Sequence, residues 1–166
     1  MQVNIALLTV TDTRTIDTDK SGGILVKKIS EQNHKLIDRK LVKDEKEKIK
    51  KILSEWIKKD DIDVIITTGG TGLTGRDITP EAIKDLADKE IPGFGELFRE
   101  LSYKTIGTSA MQSRACAVLA NGKYIFALPG SSGGVTDAWD KLLKYQLDIN
   151  HKPCNFVELF SRLKEK

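Results

Sequence analysis

The residues of this chain best suited to chemistry lie in two glycine-rich stretches. Thr68-Gly69-Gly70-Thr71-Gly72 runs on to Gly75-Arg76-Asp77, and Leu128-Pro129-Gly130-Ser131 runs on to Ser132-Gly133-Gly134. A turn dense in glycine and threonine presents backbone N–H groups to an anion, and Asp77 stands close enough to hold a magnesium ion. The second stretch precedes a helix, whose dipole and unpaired first N–H groups suit a phosphate. Taken alone, each stretch also reads as a plain strand-to-helix turn, its glycines present only to let the backbone bend. Together they weigh more, because both follow apolar runs and so fall at one edge of a sheet. Asp12 closes the first apolar run at that edge and Asp44 follows the second, so up to three carboxylates converge on the loops. Asp44 by itself reads as a helix N-cap.

Two phosphate motifs match in form only. Gly70-Thr71-Gly72-Leu73-Thr74-Gly75 has the GxGxxG spacing of a dinucleotide fingerprint. That fingerprint belongs on the first strand and opens directly into a helix, whereas here it follows the third and Thr79-Pro80 delays the helix. A nicotinamide or flavin oxidoreductase is set aside on that ground. Gly70 and Gly75 also have the Walker spacing, but Arg76-Asp77 stands where a lysine and a hydroxyl residue are required, which excludes a P-loop.

The elements that must position these loops alternate. Val3 to Val10 is an apolar, β-rich run suited to a strand buried on both faces. Ser21 or Asp19 caps a helix to about Gln32, and His34 to Val42 is a second strand. Asp44 precedes an amphipathic helix with Ile49, Ile52, Leu53 and Trp56 at spacings of three and four. Asp63 to Thr68 is the third strand. Thr79-Pro80-Glu81 starts a helix to about Asp88, and Phe94 to Tyr103 forms another. Ala115 to Leu119 and Tyr124 to Leu128 make a hairpin around Asn121-Gly122, and a last helix runs from about Gly134 to Ile149. The pattern predicts one domain over residues 1–166, of α/β class, with three α/β/α layers and a mainly parallel sheet. Ligands then gather at the carboxyl ends of the strands.

Composition narrows the functions. Lys and Arg number 27 against 24 Asp and Glu, a net charge of +3, which leaves no polycationic surface for nucleic acid. Cys116 and Cys154 stand far apart, away from His34 and His151, so a thiolate zinc site is excluded. The start of the chain lacks the charged, then apolar pattern of a secretory signal, and no apolar run is long enough for a bilayer. The expected location is the reducing cytoplasm.

Three blocks together carry a resemblance: Thr68-Gly69-Gly70-Thr71-Gly72, then Gly75-Arg76-Asp77-Ile78-Thr79-Pro80-Glu81-Ala82, then Ile91-Pro92-Gly93-Phe94-Gly95-Glu96. With Asp19-Lys20-Ser21-Gly22, Ser113-Arg114, Leu128-Pro129-Gly130 and the late Lys152-Pro153-Cys154-Asn155-Phe156, the chain resembles the molybdenum cofactor biosynthesis protein B family over nearly its whole length. One departure is Ser131-Ser132-Gly133, where the wider family usually carries a proline. The resemblance implies a molybdopterin-binding fold and a reaction in which molybdopterin attacks the α-phosphate of Mg-ATP, giving adenylylated molybdopterin and pyrophosphate. By motif match it assigns magnesium and catalytic support to Asp44 and Asp77. Thr68 and the loop Gly69, Gly70, Thr71 and Gly72 would serve phosphate or pterin. Glu96, Ser113, Pro129, Gly130 and Ser131 would line the pocket, with Asp12 nearby. A second reading is a catalytically silent paralogue that binds pterin or nucleotide and acts as a scaffold among other cofactor-biosynthesis proteins. The resemblance also implies a homotrimer, or a hexamer built from trimers. Phe156, Leu159, Phe160 and Leu163 form an apolar set in the tail, destined for a neighbouring subunit or for the chain's own body. Valine at Gly70 is expected to harm ligand binding more than stability.

Overall fold

The computed structural model describes residues 1–165. Six strands form one sheet in the order β2-β1-β3-β6-β5-β4: β1 (Asn4–Val10), β2 (Lys35–Val42), β3 (Val64–Thr68), β4 (Lys89–Glu90), β5 (Cys116–Ala120) and β6 (Lys123–Leu128). The pairs β1–β2, β1–β3 and β3–β6 are parallel, and β5 and β4 add antiparallel at one edge. The expected α/β class with a mainly parallel sheet is what the chain adopts.

Successive strand residues point to opposite faces, and the sequence supplies apolar side chains to both. Ile5, Leu7, Val64, Ile66 and Phe126 face α1 (Lys20–Glu31), α4 (Pro92–Ile106) and α5 (Ser132–Ala138). Ala6, Leu8, Ile65, Ile125 and Ala127 face α2 (Lys46–Trp56) and α3 (Thr79–Lys84). Helices on both faces answer the continuous apolar runs of the central strands. Trp56 and Trp139, almost completely buried, seat one helix on each side. Burial of a side chain that large removes well over ~100 Å² from water and contributes about 2–3 kcal/mol or more.

Several boundaries move. α3 stops at Lys84, not Asp88, because residues 89 and 90 are drawn into β4 beside β5; two exposed charged residues give no periodic signal. α4 begins at Pro92, which takes the first turn, and ends where Gly107 turns to φ +60. The last helix starts at Ser132 and passes through a π-helical stretch, Trp139–Leu143, into α6 (Lys144–Gln146). The Asn121-Gly122 turn has positive φ at both residues, 48 and 74, the geometry that a two-residue hairpin favours. The tail folds back on its own body: Phe156 and Phe160 pack against Tyr124 with tilted rings at 4.6 and 5.9 Å between ring centres. No helix among the described residues is long and apolar enough to cross a membrane.

Candidate functional site

The two glycine-rich loops cross at the carboxyl ends of β3 and β6. Gly69 N–H donates to the Leu128 carbonyl at 3.0 Å, and Thr68 Oγ1 donates to the Pro129 carbonyl at 2.8 Å. At the crossing, a Cβ on Gly130 would lie 3.3 Å from Gly69 Cα. Gly69 and Gly70 both have positive φ, 97 and 67. A Cβ on Gly69 would meet the Val10 carbonyl at 2.2 Å, and one on Gly70 would meet Thr79 Oγ1 at 2.3 Å and Asp44 Oδ1 at 3.0 Å. Glycine is therefore required for the loop to exist, before any ligand is considered. Valine at position 70 is therefore expected to cost stability as well as ligand binding.

Two residues outside the expected site hold the first loop. Thr79 donates its Oγ1 to the Gly69 carbonyl at 2.9 Å and its N–H to the Gly70 carbonyl at 3.0 Å. Arg114 donates Nε to the Gly72 carbonyl at 2.7 Å and Nη2 to the Asp77 carbonyl at 2.8 Å, and pairs through Nη1 with Glu81. Its own N–H donates to the Thr71 carbonyl at 3.0 Å. With their carbonyls anchored outward, the loop residues keep a fixed turn. The available signal for Arg114 was its place beside Ser113; nothing in the spacing said that it would reach back to the loop.

A cavity of about 590 Å³ opens between the loops. Gly69, Gly70, Thr71, Gly72 and Asp77 wall one side, Pro129, Gly130, Ser131, Gly133 and Gly134 another, and Ser113 with Phe98 and Ile106 of α4 closes it. Ser131 also caps the last helix, its Oγ accepting from the Gly134 N–H at 3.1 Å. Thr68 is wholly buried beneath the crossing. Glu96 is not brought here; it lines a neighbouring hollow of about 420 Å³ with Glu81 and Arg99, which meets the main cavity at Ser113.

The three aspartates differ sharply. Asp12 accepts from Arg76 Nε and Nη2 at 3.0 and 2.9 Å and from the Asp44 N–H at 3.2 Å, and the Arg76 hydrogen bonds hold its carboxyl below the usual range. Asp77 ties its own turn, Oδ2 accepting from Thr74 Oγ1 at 2.6 Å and Thr74 N–H at 2.9 Å. Burial pushes Asp77 up, but these bonds, one from Gly72 and the Arg114 charge hold it below the usual range. Asp44 is not the N-cap of α2: Glu45 takes that position, without a side-chain bond. Its Oδ1 is buried with no partner among the described residues. Burial first, then the Asp77 and Asp12 charges, raise its pKa against the pull of the Ile78 N–H and Arg76. A carboxylate oxygen left unpaired in this way costs stability unless a cation meets it.

Among the described residues no three carboxylate, imidazole or thiol groups cage a metal ion; Asp12 and Asp77 lie close enough for their charges to act on Asp44, but Asp12 is paired with Arg76. A magnesium ion needs less. It is held by one or two carboxylates and completed by water and substrate phosphates. Asp44, with Asp77 near enough to repel it, fits that donor set.

A family model described as Probable molybdopterin binding domain matches residues 6–148. The chain belongs to this molybdopterin-binding-domain family. Among its relatives, molybdenum cofactor biosynthesis protein B of Escherichia coli is 46% identical over 152 residues, covering 92% of this chain and 89% of the relative. The protein of the same name in Staphylococcus aureus is 50% identical over 149 residues, 88% of each. A crystal structure of a molybdenum cofactor biosynthesis protein B superposes with a TM-score of 0.89 at 42% identity, over 100% of this chain and 98% of that one. The fold of that crystal structure is thus shared along the chain, while the family model itself ends at residue 148.

Proposed function

We propose that the chain acts in molybdenum cofactor biosynthesis as a molybdopterin adenylyltransferase. Molybdopterin attacks the α-phosphate of ATP, a new phosphorus–oxygen bond forms, and pyrophosphate leaves. The observation that carries this reading is Asp44: a buried carboxylate oxygen without a partner, packed against Gly70, whose other neighbours in the loop wall the cavity with it. Asp44 and Asp77 would hold the magnesium ion, which when bound neutralises phosphate charge and fixes its orientation. The loop N–H groups bind phosphate oxygens, while Phe98 and Ile106 give a ring system an apolar wall. Thr79 and Arg114 keep the loop in place for that binding.

The cytoplasm is the proposed location. The assembly is a homotrimer, or a hexamer of trimers, in contact with other cofactor-biosynthesis proteins. Exposed Leu97, Tyr103 and Ile106 on α4 and Met111 beyond it supply apolar surface for such an interface. One observation favours a second reading, a silent pterin- or nucleotide-binding scaffold: two of the three aspartates are already engaged, Asp12 by Arg76 and Asp77 by Thr74. Incubation with molybdopterin, ATP and magnesium, followed by chromatography for adenylylated molybdopterin and pyrophosphate, separates the two. Product formation that Asp44→Asn abolishes supports transfer; tight ligand binding without product leaves the scaffold.

A further inference from the structure

Three arginines around the site pair with carboxylates, and they differ in how firmly they are held. Arg39 meets the buried Asp19, with 19% and 1% of the two side chains exposed. Arg114 pairs with Glu81 and also donates to the Gly72 and Asp77 carbonyls. Arg76 is held most loosely. Its pair with Asp12 leaves 60% and 39% of the side chains in solvent, and among the described residues its guanidinium donates to Asp12 alone. An exposed ion pair of this kind is worth no more than about a factor of five in an equilibrium. A better acceptor than Asp12 therefore takes the guanidinium at little cost.

The backbone beneath Arg76 does not have to move for this. Asp77, the next residue, is tied to Thr74 through Oδ2 and its N–H, and Arg114 holds its carbonyl. The turn stands in open space, since even a Cβ added to Gly75 would meet nothing within 4 Å. Asp77 also walls the main cavity, so the Arg76 side chain is rooted beside that wall.

Charge identifies the better acceptor. Asp12 accepts the Asp44 N–H at 3.2 Å, and Asp77 follows Arg76 in the chain, which puts three carboxylates and one guanidinium in one corner. A magnesium ion on Asp44 and Asp77 balances those two, and Arg76 balances Asp12. Within this corner that balance leaves no cation for the β- and γ-phosphates of a triphosphate, whose charge grows as they leave as pyrophosphate. A guanidinium meets such oxygens with a bidentate fork.

We propose that the Asp12–Arg76 pair is a latch: a bound triphosphate draws Arg76 off Asp12, and the guanidinium then stabilises the pyrophosphate as the phosphorus–oxygen bond to the α-phosphate breaks. The electron pair of that bond leaves on the pyrophosphate oxygen, and Arg76 meets the developing charge without giving up a proton. The catalytic half rests on the transferase reading above; the exchange of partners needs only a ligand with two linked phosphates. Engagement of Asp12 by Arg76 is then the resting half of a cycle.

Nitrogen-15 NMR of the arginine side chains in the full chain tests the exchange, with pyrophosphate and millimolar magnesium as the probe. The Arg76 Nε–H signal, identified by its loss in Arg76→Ala, moves when pyrophosphate binds. Binding with that signal unmoved overturns the latch, as does no binding by wild type. Arg76→Ala weakens pyrophosphate by about tenfold or more, the size expected for lost bonds to a charged group, and Arg76→Lys recovers part of the loss. Asp12→Asn keeps an acceptor for the Asp44 N–H and acts in the opposite sense, tightening pyrophosphate by up to about fivefold. A pair that merely braces the loop would weaken binding in both variants, and that result also overturns the proposal. Both variants melt within about 2–4 °C of wild type, since the pair is exposed. In the transfer assay Arg76→Ala lowers kcat by roughly a hundredfold or more and leaves the KM for molybdopterin unchanged; an undiminished kcat overturns the catalytic half. Absence of transfer in wild type sinks the transferase reading instead, and the pyrophosphate titration still decides the latch.

Discussion

Replacing Asp44 by asparagine should stabilise the ligand-free protein while removing its response to magnesium. Oδ1 of Asp44 is buried without a partner, and the charges of Asp77 and Asp12 oppose its ionisation. An unsatisfied buried polar group costs about 1–3 kcal/mol. Asparagine removes the charge but leaves an acceptor in place, and solvent at the loop screens part of the effect, so a gain of about 1 kcal/mol is expected. For a chain of this size that is a rise of roughly 2–4 °C in melting temperature. The sign with pH follows from a carboxyl whose folded-state pKa is raised. Its ionisation opposes folding, fully so above the raised pKa and not at all below the ordinary carboxylate value of about 4. The advantage of Asp44→Asn is therefore largest near neutrality and fades on acidification. Melting curves by circular dichroism, with and without millimolar magnesium, measure both parts. Magnesium should raise the wild-type midpoint and leave the variant unmoved. A variant that melts at or below wild type at neutral pH would refute the claim that Asp44 Oδ1 is held without a partner.

Gly70→Val should lower stability by about 3 kcal/mol or more, since it combines a left-handed backbone with a clash at Thr79 Oγ1; a melting temperature within a degree or two of wild type would contradict the geometry. Arg114→Met should cost about 2–4 kcal/mol through the Gly72 and Asp77 carbonyls and the stranded Glu81, read as a lower urea midpoint. Urea profiles that coincide with wild type would remove it as the loop's anchor. His34 is buried, accepts from the Val3 N–H through Nδ1, and has its pKa lowered by burial first and then by the N-terminal amine. A lowered folded-state pKa gives stability present above about 6.5 and lost as pH falls toward the folded value. In the Asp44→Asn background, melting temperature should fall from about pH 7 to 5.5, and His34→Gln should remove that slope.

The fold was legible where one signal dominated. β1 and β3 are mostly apolar because helices cover both faces, and Thr79-Pro80-Glu81 starts α3 as its composition dictates. Legibility failed where tertiary pairing overrode local pattern. β4 is two charged residues that owe their extended shape to Leu119 and Val118 across the sheet edge. The tail was ambiguous for a related reason: an apolar set at helical spacing says that a surface will be covered, not whose. Tyr124 and Phe126 settle it by offering Phe156 a seat at 4.6 and 5.8 Å within the same chain.

At the candidate site, the residue types were readable and their division of labour was not. Asp12, Asp44 and Asp77 look alike in sequence, each a carboxylate after or near a strand end. What separates them is which neighbour reaches each one first: Arg76, sixty-four positions away, takes Asp12, and Thr74 takes Asp77. Asp44 is left over because Glu45, not Asp44, enters the cap position of α2. The helix begins one residue later than the N-cap pattern suggests, and that single step turns a capping side chain into a carboxylate with one unpartnered oxygen beside Gly70. Three local facts of hydrogen-bond competition, none visible in spacing, thus choose the aspartate that would meet a cation.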